Sequence, residues 1–206
     1  MRIFALGGVV APIVFVTITG VVGALRDYSH VHQFVSELGA TGTPFARVMN
    51  YLGFLPAGLL FVAFAVSTRA LAPGRGTAAA GGFLLGVFAV GVVTAGLASC
   101  DPGCPQGSGT LANIIHDRVS PLAFMSAIGG IALFGVSFRK VSEWTSLSRY
   151  SLLSAAVSLV FMLLLVRSLG SREMTGLWQR LFLATVFTWC AIVGIRLYVL
   201  TGRDQP

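Results

Sequence analysis

The 206-residue chain is 55% hydrophobic and only 10% charged, with a mean hydropathy of +0.85. A soluble domain carries about a quarter charged residues, so this composition excludes a water-soluble globule and points to a polytopic membrane protein. The formal charge of +7 does not mark a nucleic-acid binder, because the basic residues sit singly at the ends of apolar runs, without a basic stripe or interleaved aromatics.

The length holds about six spans of roughly 20 residues with short loops. The expected fold is therefore all-α: a six-helix transmembrane bundle forming one domain over residues 1–206. Span one covers Ile3 to Leu25 with Pro12 inside it, and it is longer than the apolar region of a signal peptide, so it is read as retained. A long polar stretch follows, from Arg26 to Asn50, whose middle, His32 to Leu38, reads as a short amphipathic or re-entrant helix broken by Gly39, Gly42 and Pro44. Span two, Val48 to Thr68, carries Pro56 as a kink.

Span three runs from Thr77 to Ser99. Its small residues Gly82, Gly86, Gly91, Ala95 and Gly96 let backbones approach closely, which predicts the central packing helix. A second polar loop, Cys100 to Asp117, leads into span four, Val119 to Phe138, with Pro121 expected in the first turn, where its missing N–H costs nothing. A basic loop with Trp144 precedes span five, Tyr150 to Val166, and a tight loop precedes span six, Leu177 to Leu200.

With six spans the two termini share a face. Arg2, Arg69, Arg75, Arg139, Lys140, Arg149, Arg196 and Arg203 fall on that face, against Arg26, Arg47, Arg118, Arg167, Arg172 and Arg180 on the other. The excess of positive charge places the terminal face in the cytoplasm. Cys100 and Cys104, on the opposite face, favour a disulfide over free thiols or a metal site, and a disulfide requires an oxidising compartment. Cys190 reads as a small buried hydrophobe.

In this topology His30, His32 and His116 share the non-terminal face with Asp27, Glu37, Asp101, Asp117 and Glu173. Histidine and carboxylate together can hold a divalent ion such as zinc and activate water on it. His30, His32 and His116 are thus candidate metal ligands, and His116, Glu37 and Asp101 candidate catalytic groups. Solvated loop chemistry is the plain alternative. His116-Asp117-Arg118 reads either as a helix start or as a base at the rim of a cavity. Ser36 reads as a cap or a nucleophile. Arg47, Asn50 and Arg180 enter spans, where an ionisable residue usually turns inward to a partner; with Ser36 they form a candidate ligand-binding set.

Ser36-Glu37-Leu38-Gly39 with Pro44 and Asn50 before span two, a histidine opening span four, and Gly176-Leu177-Trp178-Gln179-Arg180 opening span six resemble the bacterial and archaeal membrane family called domain of unknown function 998. The resemblance follows the spans in order over nearly the whole chain. It implies a multi-span bundle in a bacterial or archaeal cell membrane, with no assigned activity. A looser similarity is to alkaline ceramidases, membrane-embedded metal hydrolases that use a Ser, an Asp and several His; their paired histidines four apart on a late span are missing here.

Three functional readings follow: a membrane-embedded metal-dependent hydrolase, a transporter or binding protein for a lipid or small ligand, and an accessory subunit that docks a partner through glycine-rich faces. Membrane lipids are the expected partners of all three. The chain has no phosphate-cradling loop, no haem-binding histidine pair facing across spans and no relay of ionisable residues within them, which argues against an ATPase or a redox carrier.

Overall fold

A computed structural model describes residues 1–139 and 141–203; Lys140 and Asp204, two of the charges on the terminal side, lie outside the described residues. Six helices are long and apolar enough to cross a membrane: α1 (Arg2–Ala24), α2 (Ala46–Leu71), α3 (Gly76–Leu97), α4 (Leu111–Phe138), α5 (Ser142–Ser168) and α6 (Thr175–Gly202). There is no strand among the described residues.

Four of the six helices lie close to their expected spans, but α5 starts at Ser142, within the expected basic loop and ahead of Tyr150, and α4 starts well before Val119. Thr110 caps it, its hydroxyl accepting from the Asn113 N–H at 3.3 Å. His116-Asp117-Arg118 therefore lies inside the helix and does not open it, and Pro121 is interior. An interior proline leaves the carbonyl four residues earlier, that of Asp117, without an intrahelical donor. In the first polar stretch the expected short helix shrinks to one 3-10 turn, Val35–Gly39. The entry to α2 is π-helical over Met49–Phe54, just before Pro56. A widened turn there absorbs the N–H that proline cannot supply, so the irregularity expected at Pro56 sits immediately ahead of it.

Short loops make consecutive helices antiparallel neighbours. Each helix packs on the next, α6 returns to α1, and α6 also touches α2 and α4. Span three makes the most extensive helix packing of the bundle, on α2 and α4, as its small residues lead one to expect, and α6 adds a second inner strip, with Phe182, Val186, Trp189, Val193 and Leu197 wholly buried. Phe187 packs on Phe15 and Phe61, and Trp189 on Phe134, at ring separations of 5.3 to 5.6 Å. The Trp189 indole N–H donates to Ser151 Oγ at 2.8 Å, which satisfies its polar edge inside the core. In α3 close approach is real at Gly96, where an added Cβ would lie 3.0 Å from the Asn50 carbonyl oxygen, while Gly86 faces open space.

Outward, Ile13, Val16, Leu59, Phe83, Val90, Leu122, Leu163 and Ile195 are exposed. Lipid tails are as apolar as leucine, so in a bilayer this exposure carries no penalty. At the terminal end Arg2 donates to the Tyr198 carbonyl at 2.9 Å and lies 4.2 Å from the centre of the Tyr198 ring, joining the start of α1 to the end of α6.

Candidate functional site

The other end of the bundle is built by three loops: residues 25–45, 98–110 and 169–174. In the first, Glu37 is buried at the third position of the 3-10 turn. Its Oε1 accepts from the Phe34 N–H at 3.0 Å, the reciprocal half of a capping box. Phe34 has no side-chain acceptor to complete the box, and Gln179 of α6 completes the turn instead, its Oε1 accepting from the Val35 N–H at 2.7 Å.

The second loop is organised by Asp101 and Asn113. Asp101 accepts from the Thr110 N–H at 2.7 Å and the Thr110 hydroxyl at 2.8 Å. Asn113, almost fully buried, accepts from the Asp101 N–H and donates to the Pro105 and Ser108 carbonyls. Cys100 and Cys104 are buried and lie at disulfide distance, their Cα atoms 5.0 Å apart. The third loop contributes Arg172, which donates to the Gly103 and Cys104 carbonyls, lies 4.8 Å from the centre of the Phe34 ring and stands 3.7 Å from Glu37. One arginine thus ties all three loops together.

The first loop also leans on α6. Arg180 donates to the carbonyls of Gln33 and Gly176 and, at 2.5 Å, to the Tyr28 hydroxyl, which is itself shared between the Gln33 and Phe34 carbonyls. Burial raises the Tyr28 phenol above its ordinary value, an effect the Arg180 charge partly offsets. At Gly176 a side chain would strike the Gln33 carbonyl and come within 2.8 Å of the His30 carbonyl, so only glycine lets the loop sit this close.

Beneath these loops, between α4 and α5, lies a cavity of about 350 Å³, reaching the surface beside the exposed Gln106, Arg118 and Val166. Its walls are apolar: Phe34, Pro121, Phe124, Met162, Leu165 and Leu169. A smaller cavity of about 50 Å³ continues toward Phe15, Phe54 and Phe187 in the bundle interior. Ser36, His116, Ser120, Phe124 and Gln179 line both, so four polar side chains meet at the junction.

The roles of three of them are set by their other contacts. His116 Nδ1 is 3.1 Å from the Ala98 carbonyl, just past the end of α3. A carbonyl only accepts, so Nδ1 carries the proton and Nε2 keeps its lone pair toward the cavity. Ser120 donates to the His116 carbonyl at 2.7 Å, which leaves its oxygen as an acceptor. Gln179 spends its oxygen on Val35, leaving its NH₂ as a donor.

The expected site residues therefore separate. Ser36 and His116 come together at the cavity, whereas Glu37 and Asp101 hold loop backbone and do not line it. Asn50 donates to the Gly39 carbonyl at 2.9 Å in the α2 entry, Arg47 is exposed, and Arg180 stays with Tyr28. The candidate ligand-binding set is thus dispersed.

The three histidines also part company. His30 packs edge-on to Tyr28, His32 Nδ1 accepts from the Met174 N–H at 3.3 Å, and His116 faces the cavity. Among the described residues no three His, Cys, Asp or Glu side chains converge as metal ligands must, so the donor set does not fit a divalent ion. Gln179 appears in the sequence only within the motif opening span six, and neither it nor Ser120 or Asn113 is marked there as a site residue. Thr110 three residues before Asn113 is a legible cap signal, but nothing local marks Gln179 or Ser120.

Fold and site together define a six-helix membrane-type bundle with a largely apolar cavity under a loop-built cover. The chain belongs to the family described as protein of unknown function (DUF998), whose model matches residues 9–196. Neither the curated proteins nor the solved structures offer a match.

Proposed function

We propose that the protein binds an amphipathic lipid, its tail along Phe124, Met162, Leu165 and Leu169 and its polar end at Ser36, His116, Ser120 and Gln179. The observation that carries this reading is the paired cavity: a largely apolar channel opening between two helices, with Ser36, His116, Ser120 and Gln179 at its inner junction and Gln106, Asp117 and Arg118 toward its mouth. Its volume lies in the range of about 300–1,000 Å³ typical of ligand sites. We place the cavity at the outer face of a bacterial or archaeal cell membrane with both termini cytoplasmic. The Cys100–Cys104 pair and the arginine distribution support that placement.

The function is binding, for presentation or transfer of the lipid, and no hydrolytic step is assigned. Ser36 Oγ is engaged by Cys104 Sγ at 3.4 Å, and Glu37 and Asp101 stand away from the cavity. The test is lipid extraction and native mass spectrometry of protein purified in mild detergent. A lipid should be retained by the wild type and displaced in Met162→Trp, which fills the tail channel. Absence of lipid from the wild type, or equal retention by both, would overturn the reading.

A further inference from the structure

Resting on that lipid-binding reading, we infer that the head seated at the junction is an uncharged hydrogen-bond donor, as in a diacylglycerol-type lipid with a free hydroxyl, and not a phosphate.

The first ground is the donor–acceptor balance. His116 Nε2 and Ser120 Oγ both present lone pairs, because the His116 N–H and the Ser120 hydroxyl hydrogen are committed to backbone carbonyls. Gln179 presents an NH₂ group. A hydroxyl satisfies both kinds of partner: its hydrogen goes to His116 Nε2, and its oxygen accepts from Gln179. A fully ionised phosphate carries acceptors only. It would set oxygen against the Nε2 lone pair and leave that acceptor unsatisfied, a loss of about 5- to 150-fold in affinity.

The second ground is charge. The residues lining the larger cavity include one cation, Arg118, and one carboxylate, Asp117, and none of the junction side chains is an arginine or lysine. Asp117 accepts from the Gly107 N–H at 2.9 Å and keeps its negative charge, so the two charged residues in the lining cancel to no net positive charge. A phosphate drawn to the junction would be an uncompensated buried charge. The other five arginines of this end do not remedy this. Arg26, Arg172 and Arg180 are committed to carbonyls of the loop cover or of α6, and Arg47 and Arg167 do not line the cavity.

The experiment offers delipidated full-length protein dioleoylglycerol or dioleoyl phosphatidic acid, two lipids with the same tails that differ by the phosphate. Bound fractions are read by native mass spectrometry at pH 8. The expected result is a preference of at least about fivefold for dioleoylglycerol, reduced toward parity in His116→Phe. Equal binding of the two lipids, or preference for phosphatidic acid, overturns the inference and leaves lipid binding standing. Binding of neither overturns the lipid-binding reading itself. An undiminished preference in folded His116→Phe removes His116 from the recognition; should that variant not fold, the wild-type comparison alone decides.

Discussion

Replacing Glu37 by alanine should open the loop cover from its most buried point. The carboxylate accepts from the Phe34 N–H at 3.0 Å and from the Gln33 side chain at 3.1 Å, and it stands 3.7 Å from Arg172. Losing the first bond strands a buried N–H, worth about 1–3 kcal/mol, and losing the second costs about 1 kcal/mol because Gln33 can turn to water. The Arg172 contact is beyond hydrogen-bond length and that side chain is well exposed, so it adds only a few tenths. The expected loss is about 3 kcal/mol. Arg172→Ala removes the contact with Phe34 and two carbonyl bonds and should cost less, about 1–2 kcal/mol. The assay is unfolding in mixed micelles with increasing dodecyl sulfate, followed by tryptophan fluorescence. In a double-mutant cycle the coupling of Glu37 to Arg172 should stay below about 1 kcal/mol. A Glu37→Ala loss under about 1 kcal/mol, or a coupling above about 2, would refute the argument that backbone capping is the main role of Glu37.

Three further outcomes are expected. Gly58→Leu should destabilise by about 1–3 kcal/mol or prevent folding, because its Cβ would lie 2.7 Å from the Val93 nitrogen and push α2 off α3; the same unfolding assay reads it. Alkylation followed by mass spectrometry should label Cys100 and Cys104 only after reduction and Cys190 only after denaturation, and breaking the short disulfide loop should cost about 2 kcal/mol. His30 is held below the ordinary histidine value, first by lost hydration and then by the Arg180 charge. The unfolded chain therefore takes up this proton first, and stability falls as pH drops from about 6.5 toward the lower folded value; His30→Ala should flatten that part of the stability–pH curve.

Several features were open to reading from the chain alone. The number, order and approximate limits of the helices follow from apolar run lengths measured against a bilayer, a comparison that needs no tertiary information. The alternation of six antiparallel helices then puts Ser36, His116, Cys100 and Cys104 at one end, and the convergence of loops there is a consequence of counting. What the chain could not disclose is which of those residues meet. Thr110, a cap visible in sequence, starts α4 early and turns His116 from a helix-opening residue into one facing a cavity. Gln179 acquires its role from Val35, 144 residues away, and Arg172 its role from Gly103 and Cys104. The tautomer of His116 is set by a carbonyl 18 residues earlier, beyond the end of a different helix. Span formation is a local matter of hydrophobic length. The chemistry of the cavity depends on which backbone groups the packed helices leave unpaired, and only the assembled bundle decides that.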